Sequence, residues 1–205
     1  MKIDLLFFQV SQEEVVMNFY RLSKRKLFLN IAFAVFVVVF FVITNISAKL
    51  IKHEGKVTFL PNKEILKPLI KDIEDAKDSI YIAMYMFKTD DYKFNYSTLI
   101  EEALFDALKK GVKVYAVFDT GKKNDITTEF NKDTGEELRK KGAVVWYDSP
   151  ERRLHAKVVV IDNKIIYLGS HNYTHSALKY NYEASVRIES PEMAKEVIRY
   201  IRGIR

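Results

Sequence analysis

Cysteine is absent from this 205-residue sequence. Disulfide bonds, zinc sites that use cysteine and thiol nucleophiles are therefore excluded, although the absence does not indicate a cellular compartment. No internal repeat is visible along the sequence. Charge of one sign is only in modest excess, with 33 Lys and Arg against 27 Asp and Glu and a formal net charge of +6. This excess favours anionic partners such as nucleic acid or acidic lipid without requiring either.

One long segment near the amino terminus has no charged residue. Residues 27–46 read LFLNIAFAVFVVVFFVITNI, and about twenty residues of α-helix span a hydrocarbon core of about 30 Å. The run is too long for a buried strand. We therefore predict a transmembrane helix or signal anchor over residues 27–47, preceded by a short basic segment over 1–26 and followed by a linker over 48–56.

The charges that flank this run give it an orientation. The cations nearest to it are Arg21, Lys24, Arg25 and Lys26 before the run and Lys49, Lys52 and Lys56 after it. The positive-inside rule keeps the more basic flank in the cytoplasm, so the carboxy-terminal domain is predicted on the extracytoplasmic side of a single-pass membrane protein. A signal peptide that starts at Met17 and is cleaved near Ala48 is the alternative, and it would give a secreted or periplasmic protein.

Residues 57–205 show the pattern of one α/β domain. Ser79 to Phe87 is a continuous apolar run, as expected of a strand that is buried on both faces. Thr98 to Glu101 has the spacing of a capping box and predicts the start of a helix that ends at Gly111. A further helix is predicted over about 132–141. Repeated strand and helix units favour a mostly parallel mixed sheet that is flanked by helices on both faces.

The residues that could take part in a reaction lie in the stretch from His155 to Asn172. Residues two apart in a strand project from the same face, so His155 and Lys157 should lie together. The next predicted strand returns through a tight turn and brings Ser170 and Asn172 to the same end of the sheet. An imidazole, an ammonium group, a hydroxyl and an amide suit a tetrahedral anion. Phosphoryl transfer needs mostly positioning and charge stabilisation, which these groups supply without a metal.

This stretch resembles the HKD signature of the phospholipase D superfamily, which reads H-x-K-x4-D-x6-G-S-x-N and is matched at every fixed position. Glu183 is similar to the acidic residue that follows the motif in the small single-motif members, among them bacterial endonucleases. The resemblance covers roughly residues 56–203 and implies a phospholipase D/nuclease-like fold. It also implies that no metal ion or cofactor is needed, and it assigns a set of site residues: His155, Lys157, Asp162 and Glu183 as catalytic, and Lys157, Ser170 and Asn172 as binding the phosphate.

The resemblance further implies a mechanism in two covalent steps. One motif histidine attacks phosphorus, and the histidine of a second motif protonates the leaving oxygen and then activates water. Because this chain has one motif, we predict a homodimer in which His155 plays both parts. Glu183 is predicted to orient the ring of His155. Asp162 lies in a predicted β-turn, where Asp is common for local reasons, so its role is interpreted as structural or supportive.

The sequence is compatible with three functions. The first is an endonuclease that hydrolyses nucleic-acid phosphodiesters, the second is a hydrolase of phospholipid head groups, and the third is a non-catalytic membrane-bound binder of nucleic acid or lipid. Arg152 and Arg153 are interpreted equally as phosphate contacts or as solvated loop charges. Tyr85 is predicted to belong to the core. His171 has no cysteine or acidic partner at ligand spacing, which disfavours a metal site.

Overall fold

The computed structural model describes residues 52–89, 95–121 and 125–205, together with single helical residues between Met17 and Val35. The chain divides into two compact units, Met1–Lys52 and His53–Arg205. Most of the predicted membrane segment, 27–47, lies outside the described residues. Within the part of the chain that is described, no helix is both long and apolar enough to cross a membrane. The anchor, its linker and its orientation therefore stay predictions.

The second unit contains one seven-stranded sheet. Its strands are β1 (Lys56–Pro61), β2 (Ser79–Met84), β3 (Lys113–Phe118), β4 (Val144–Tyr147), β5 (Lys157–Ile161), β6 (Ile165–Gly169) and β7 (Ala184–Glu189). Its α-helices are α1 (Leu66–Glu74), which follows a 3-10 turn over Asn62–Ile65, α2 (Tyr96–Lys109), α3 (Ile126–Lys140), α4 (His175–Lys179) and α5 (Pro191–Gly203).

The strand order is β1-β7-β6-β5-β2-β3-β4. Only β2–β3 and β3–β4 pair in parallel, and the other neighbours pair antiparallel. The predicted mixed sheet is confirmed, but the prediction that it is mostly parallel is wrong. The reason lies after residue 150, where strands follow one another through hairpins and short returns instead of helical crossovers. Asp162 and Asn163 make the tightest of these returns, since both take a positive φ of 51° and 53°.

Helices cover both faces of the sheet, as predicted. Alternate residues of β2 enter two separate cores, because successive strand side chains point to opposite faces. Ile80 and Ile82 pack in the core beneath α1, α2 and α3. Tyr81 and Ala83 pack in the second core, which α5 closes. All six residues of β2 are buried, which explains the unbroken apolar run in the sequence.

Two helices begin earlier than the sequence pattern predicts. Helix α2 starts at Tyr96, and its N-cap is Asn95, whose side chain accepts a hydrogen bond of 3.1 Å from the backbone N–H of Ser97. The predicted capping box at Thr98 is therefore wrong. Helix α3 starts at Ile126 behind the N-cap Asp125, well before residue 132. The buried face of this helix is mostly polar and includes Thr128, Asn131 and Thr134, so apolar spacing does not mark where the helix starts.

Candidate active site

The predicted site residues other than Asp162 meet at one edge of the sheet. This edge is where β2 and β6 end and where β5 and β7 begin, because β5 runs antiparallel to both β2 and β6. Lys157 opens β5 and His155 lies just before it, while Ser170 follows β6 directly. Glu183 precedes β7. The sheet thus brings together residues that are far apart in the sequence, as the spacing predicts.

A lysine and a tyrosine form the floor beneath His155. Lys157 is 8% exposed, and its ammonium group donates a hydrogen bond of 2.8 Å to the backbone carbonyl of His155. The ring centroids of Tyr85 and His155 are 4.7 Å apart. Lys157 Nζ lies 4.9 Å from the centroid of the same Tyr85 ring. The His155 imidazole itself is exposed to solvent, so an incoming phosphate can reach it.

Tyr85 corrects the sequence interpretation, which placed it in the core. Its side chain is half-buried, and it packs against the reactive pair instead of the apolar clusters. Its backbone N–H donates to the carbonyl of Ala156 at 3.0 Å, which ties the end of β2 to the segment between His155 and Lys157. A sequence signal did exist, because Tyr85 directly follows a strand at the edge where ligands bind in α/β sheets.

The site lowers the pKa of both basic groups. Partial burial and the neighbouring cations Lys157 and Arg153 lower the pKa of His155. Burial also lowers the pKa of Lys157, and the nearby carboxylates of Glu183 and Asp119 oppose that change. A histidine with a lowered pKa stays neutral near pH 7, which is the form that a nucleophile needs.

Ser170 and Glu183 are bonded directly to each other. The Ser170 hydroxyl donates to Glu183 Oε2 and accepts a hydrogen bond of 3.0 Å from the backbone N–H of Ala184. Glu183 Oε1 accepts from the Asn181 amide at 3.1 Å. Glu183 and His155 both belong to the part of the chain that the structure describes, and they are not hydrogen-bonded to each other. The predicted role of Glu183 in orienting the His155 ring therefore stays a prediction. Asn172 Oδ1 is buried and finds no partner among the described groups.

Asp162 lies away from these groups. Strand β5 has five residues, and at a rise of about 3.3 Å per residue the Cα atoms at its two ends are about 13 Å apart. Asp162 is at the end opposite to His155, where its carboxylate accepts from the backbone N–H groups of Lys77, Asp78 and Ser79. This agrees with the structural interpretation of Asp162 and does not support its inclusion among the catalytic residues.

Comparison with known proteins identifies the family. A family model described as "Cardiolipin synthase, PLD-like domain" matches residues 69–205. The chain belongs to the phospholipase D superfamily. A Rickettsia felis protein named Phospholipase D is 30% identical, over 75% of this chain and 70% of its own length. Cardiolipin synthase B of Escherichia coli is 29% identical, and the match covers 68% of this chain but 36% of that protein.

A solved structure from the same superfamily gives the same result. Nuc from Salmonella typhimurium, described as a phospholipase D family member, aligns with a TM-score of 0.61 and 26% identity. The alignment covers 73% of this chain and 93% of that chain. The chain thus has the fold and the motif of a phosphodiesterase of the phospholipase D superfamily, and the motif residues other than Asp162 lie together at one edge.

Among the four histidines in the sequence, all of which the structure describes, His155 is the one that is exposed at this edge. His171 is buried between Ser185 Oγ and the carbonyl of Asn62, each at 2.7 Å, and burial lowers its pKa. His175 Nδ1 accepts from a backbone N–H in α2 at 3.1 Å. His53 pairs with Glu196 at 2.5 Å. A second catalytic histidine therefore has no source within this chain.

Outside the phospholipase D motif, two acidic residues hold the segment that precedes His155. The backbone N–H of Leu154 donates to Asp119 Oδ1 at 2.8 Å and to Asp148 Oδ2 at 2.7 Å. Burial and the charge of Asp148 raise the pKa of Asp119 to about 6. Asn131 then bonds to the carbonyls of Tyr85 and Asp119, at 2.8 and 2.9 Å. Sequence reasoning missed all three, although Asp119 follows β3 directly.

Proposed function

We propose that this chain is a metal-independent nuclease that hydrolyses nucleic-acid phosphodiesters through a phosphohistidine at His155. The observation that carries the proposal is the exposed His155 ring beside a buried Lys157, with Arg152 and Arg153 exposed on the same segment. An open and basic edge suits a substrate that presents its phosphates along an extended strand. The alignment with nearly the full length of Nuc supports the small single-motif architecture.

In the proposed first step, the neutral imidazole of His155 attacks phosphorus. A nitrogen–phosphorus bond forms, the bond to the leaving oxygen breaks, and that oxygen takes a proton from His155 of a second copy. In the next step water attacks phosphorus and passes its proton to that second histidine. The nitrogen–phosphorus bond then breaks and restores both histidines. Lys157, with Ser170 and Asn172, stabilises the charge on the non-bridging oxygens.

A homodimer follows from this scheme, because each chain offers one histidine at the edge. The sharpest test uses the His155→Ala variant, co-expressed with the unchanged chain in equal amounts. Random pairing leaves about one quarter of the dimers with two histidines, so activity should fall to about one quarter. Independent chains would retain one half. A value of one half, or full activity from a monomer in analytical ultracentrifugation, would overturn the shared site.

The substrate is tested directly on the 205-residue chain. Single-stranded DNA, duplex DNA, RNA and phosphatidylglycerol vesicles are offered separately in the presence of EDTA. We expect nucleic-acid cleavage that survives EDTA and disappears in His155→Ala. Cleavage that persists in this variant contradicts the nucleophile, and turnover of vesicles alone contradicts the substrate.

A hydrolase of phospholipid head groups is the second candidate. The names of the relatives favour it, since they read Phospholipase D and Cardiolipin synthase B, and the predicted membrane segment would keep such an enzyme beside its substrate. The vesicle assay decides between the two. Binding without any turnover would instead indicate the non-catalytic binder.

We further propose that residues 27–47 anchor the chain with its catalytic domain on the extracytoplasmic side. Protease added to intact cells should degrade the catalytic domain. If the orientation is reversed, the protease should degrade the domain only after the cells are lysed. Release of the domain into the medium or the periplasm without residues 27–47 would show a cleaved signal instead.

A further inference from the structure

A basic cavity of about 410 Å³ opens beside His155. One wall is the segment before β5, which contributes Arg152, Arg153 and His155. The other wall is the end of α5 and the residues after it, which contribute Arg199, Tyr200 and Arg205. The cavity therefore joins the reactive histidine to a helix that lies outside the phospholipase D motif.

The positive charge of this cavity is not neutralised from within. Four arginines line it against one acidic residue, Asp148. Both carboxylate oxygens of Asp148 already accept backbone hydrogen bonds, from Thr120 at 2.6 Å and from Leu154 at 2.7 Å. Among the described residues, Arg153 has a carboxylate 4.0 Å away, and the other three cavity arginines have none within that distance. An anion is the ligand that such a surface favours.

Both walls are fixed in place. Trp146 Nε1 donates a hydrogen bond of 2.9 Å to the carbonyl of Ile204, which holds the chain after α5 against the sheet. Leu154 is held by two carboxylates on the other side. Tyr200, which lines the cavity, is 56% exposed. A charged pocket with rigid walls and an accessible aromatic ring matches the way in which proteins hold a nucleic-acid strand.

We propose that this cavity binds the phosphodiester adjacent to the scissile one, with an unpaired base stacked on Tyr200. The inference rests on the proposed nuclease function and names its substrate class as a single strand with more than one phosphate. A lipid with a single head-group phosphate at His155 would leave Arg199 and Arg205 without a ligand. Leu154 and Ile204 are the aliphatic side chains of the lining and stand beside four arginines, so the lining favours an anion over an acyl chain.

The test compares two substrates and two variants of the 205-residue chain. Arg199→Gln combined with Arg205→Gln removes the charge contributed by the α5 wall. Lys195→Gln is the matched control, because Lys195 is exposed on the same helix but does not line the cavity. The substrates are bis(p-nitrophenyl) phosphate, which has one phosphate, and a single-stranded DNA 12-mer with a fluorescent label.

We expect the double variant to lose about tenfold in kcat/KM on the 12-mer, the scale of removing one charge-assisted hydrogen bond to a phosphate. Its activity on the small diester should be unchanged, and Lys195→Gln should act like the unchanged chain. The dependence of 12-mer binding on salt should also become shallower, by about 0.7 in the logarithmic slope for each phosphate that the variant no longer neutralises.

Three results would overturn the inference. The double variant could cleave the 12-mer normally, it could lose both substrates equally, or it could lose binding to phosphatidylglycerol vesicles instead of DNA. Fluorescence anisotropy of the 12-mer in the His155→Ala background measures binding without cleavage. It decides the role of the cavity even if the unchanged chain cleaves no nucleic acid, which is the separate failure of the proposed function.

Discussion

Asp162 provides the clearest test of which motif residues stabilise the fold and which take part in catalysis. Its carboxylate accepts hydrogen bonds from three successive backbone N–H groups, of Lys77 at 2.9 Å, Asp78 at 2.8 Å and Ser79 at 3.2 Å. These bonds attach the segment between α1 and β2 to the turn after β5. In Asp162→Ala all three donors lose this partner, and two hydrogen bonds of 2.8 Å still join the segment to the turn, from the backbone N–H of residue 162 to the Ser79 carbonyl and from the Asn163 amide to Asp78 Oδ2.

The magnitude follows from the bonds and their exposure. A hydrogen bond to a charged group contributes about 1.5–3 kcal/mol. Lys77 and Asp78 are exposed, so water can accept the hydrogen bonds that their backbone N–H groups no longer donate to the carboxylate. We therefore expect Asp162→Ala to lower the free energy of unfolding by about 3 kcal/mol, well below the sum of three full bonds. Asp162→Asn keeps one acceptor oxygen and should lose about half as much.

Urea unfolding can be followed by the fluorescence of Trp146, the single tryptophan of the chain. Activity is then measured at a temperature where the variant is folded and is expressed per folded molecule. We expect that activity to remain within a few-fold of the unchanged chain. An Asp162→Ala protein with normal stability and a large loss of turnover would refute this reasoning, because it would make Asp162 a catalytic residue despite its position.

The remaining predictions concern the groups that support His155. Asn131→Ala should lower the free energy of unfolding by about 3 kcal/mol in urea, since a fully buried amide leaves three backbone groups unpaired. The pKa of Asp119 is raised to about 6 in the folded protein. Its contribution to the free energy of unfolding is therefore present below the pKa of the unfolded state and is lost as pH rises through 6. In Asp119→Asn the free energy of unfolding should change less between pH 4 and 7. NMR titration should place the pKa of His155 below 6.5, and Arg153→Gln should raise it by removing a cation; no change would contradict the electrostatic account.

Local chemistry explains what the sequence predicted well. The spacing of His155 and Lys157, and the return through Asp162 and Asn163, follow from the geometry of a strand and a tight turn. Gly111 ends α2 with a positive φ of 90°, as its position predicts. These features depend on residues that are close in the sequence, where spacing and conformation are tightly linked.

The features that sequence reasoning missed depend on distant contacts. The direction of β5 beside β2 is set by how the chain packs after residue 150, which no local pattern records. Tyr85 is a site residue because β5 brings His155 next to it, seventy positions along the chain. Asn131 looks like an ordinary polar helix residue until its amide is seen to join the ends of β2 and β3.

The hydrogen bond between Trp146 and the carbonyl of Ile204 has a practical consequence for anyone who expresses this chain. Because Ile204 is held against the sheet and Arg205 lines the basic cavity, a peptide fused after Arg205 would emerge beside the reactive histidine. A polyhistidine tag at that end would place extra imidazoles there, where they could occupy the cavity or mask the loss of His155 in a variant. Purification handles for kinetic work therefore belong elsewhere on the chain.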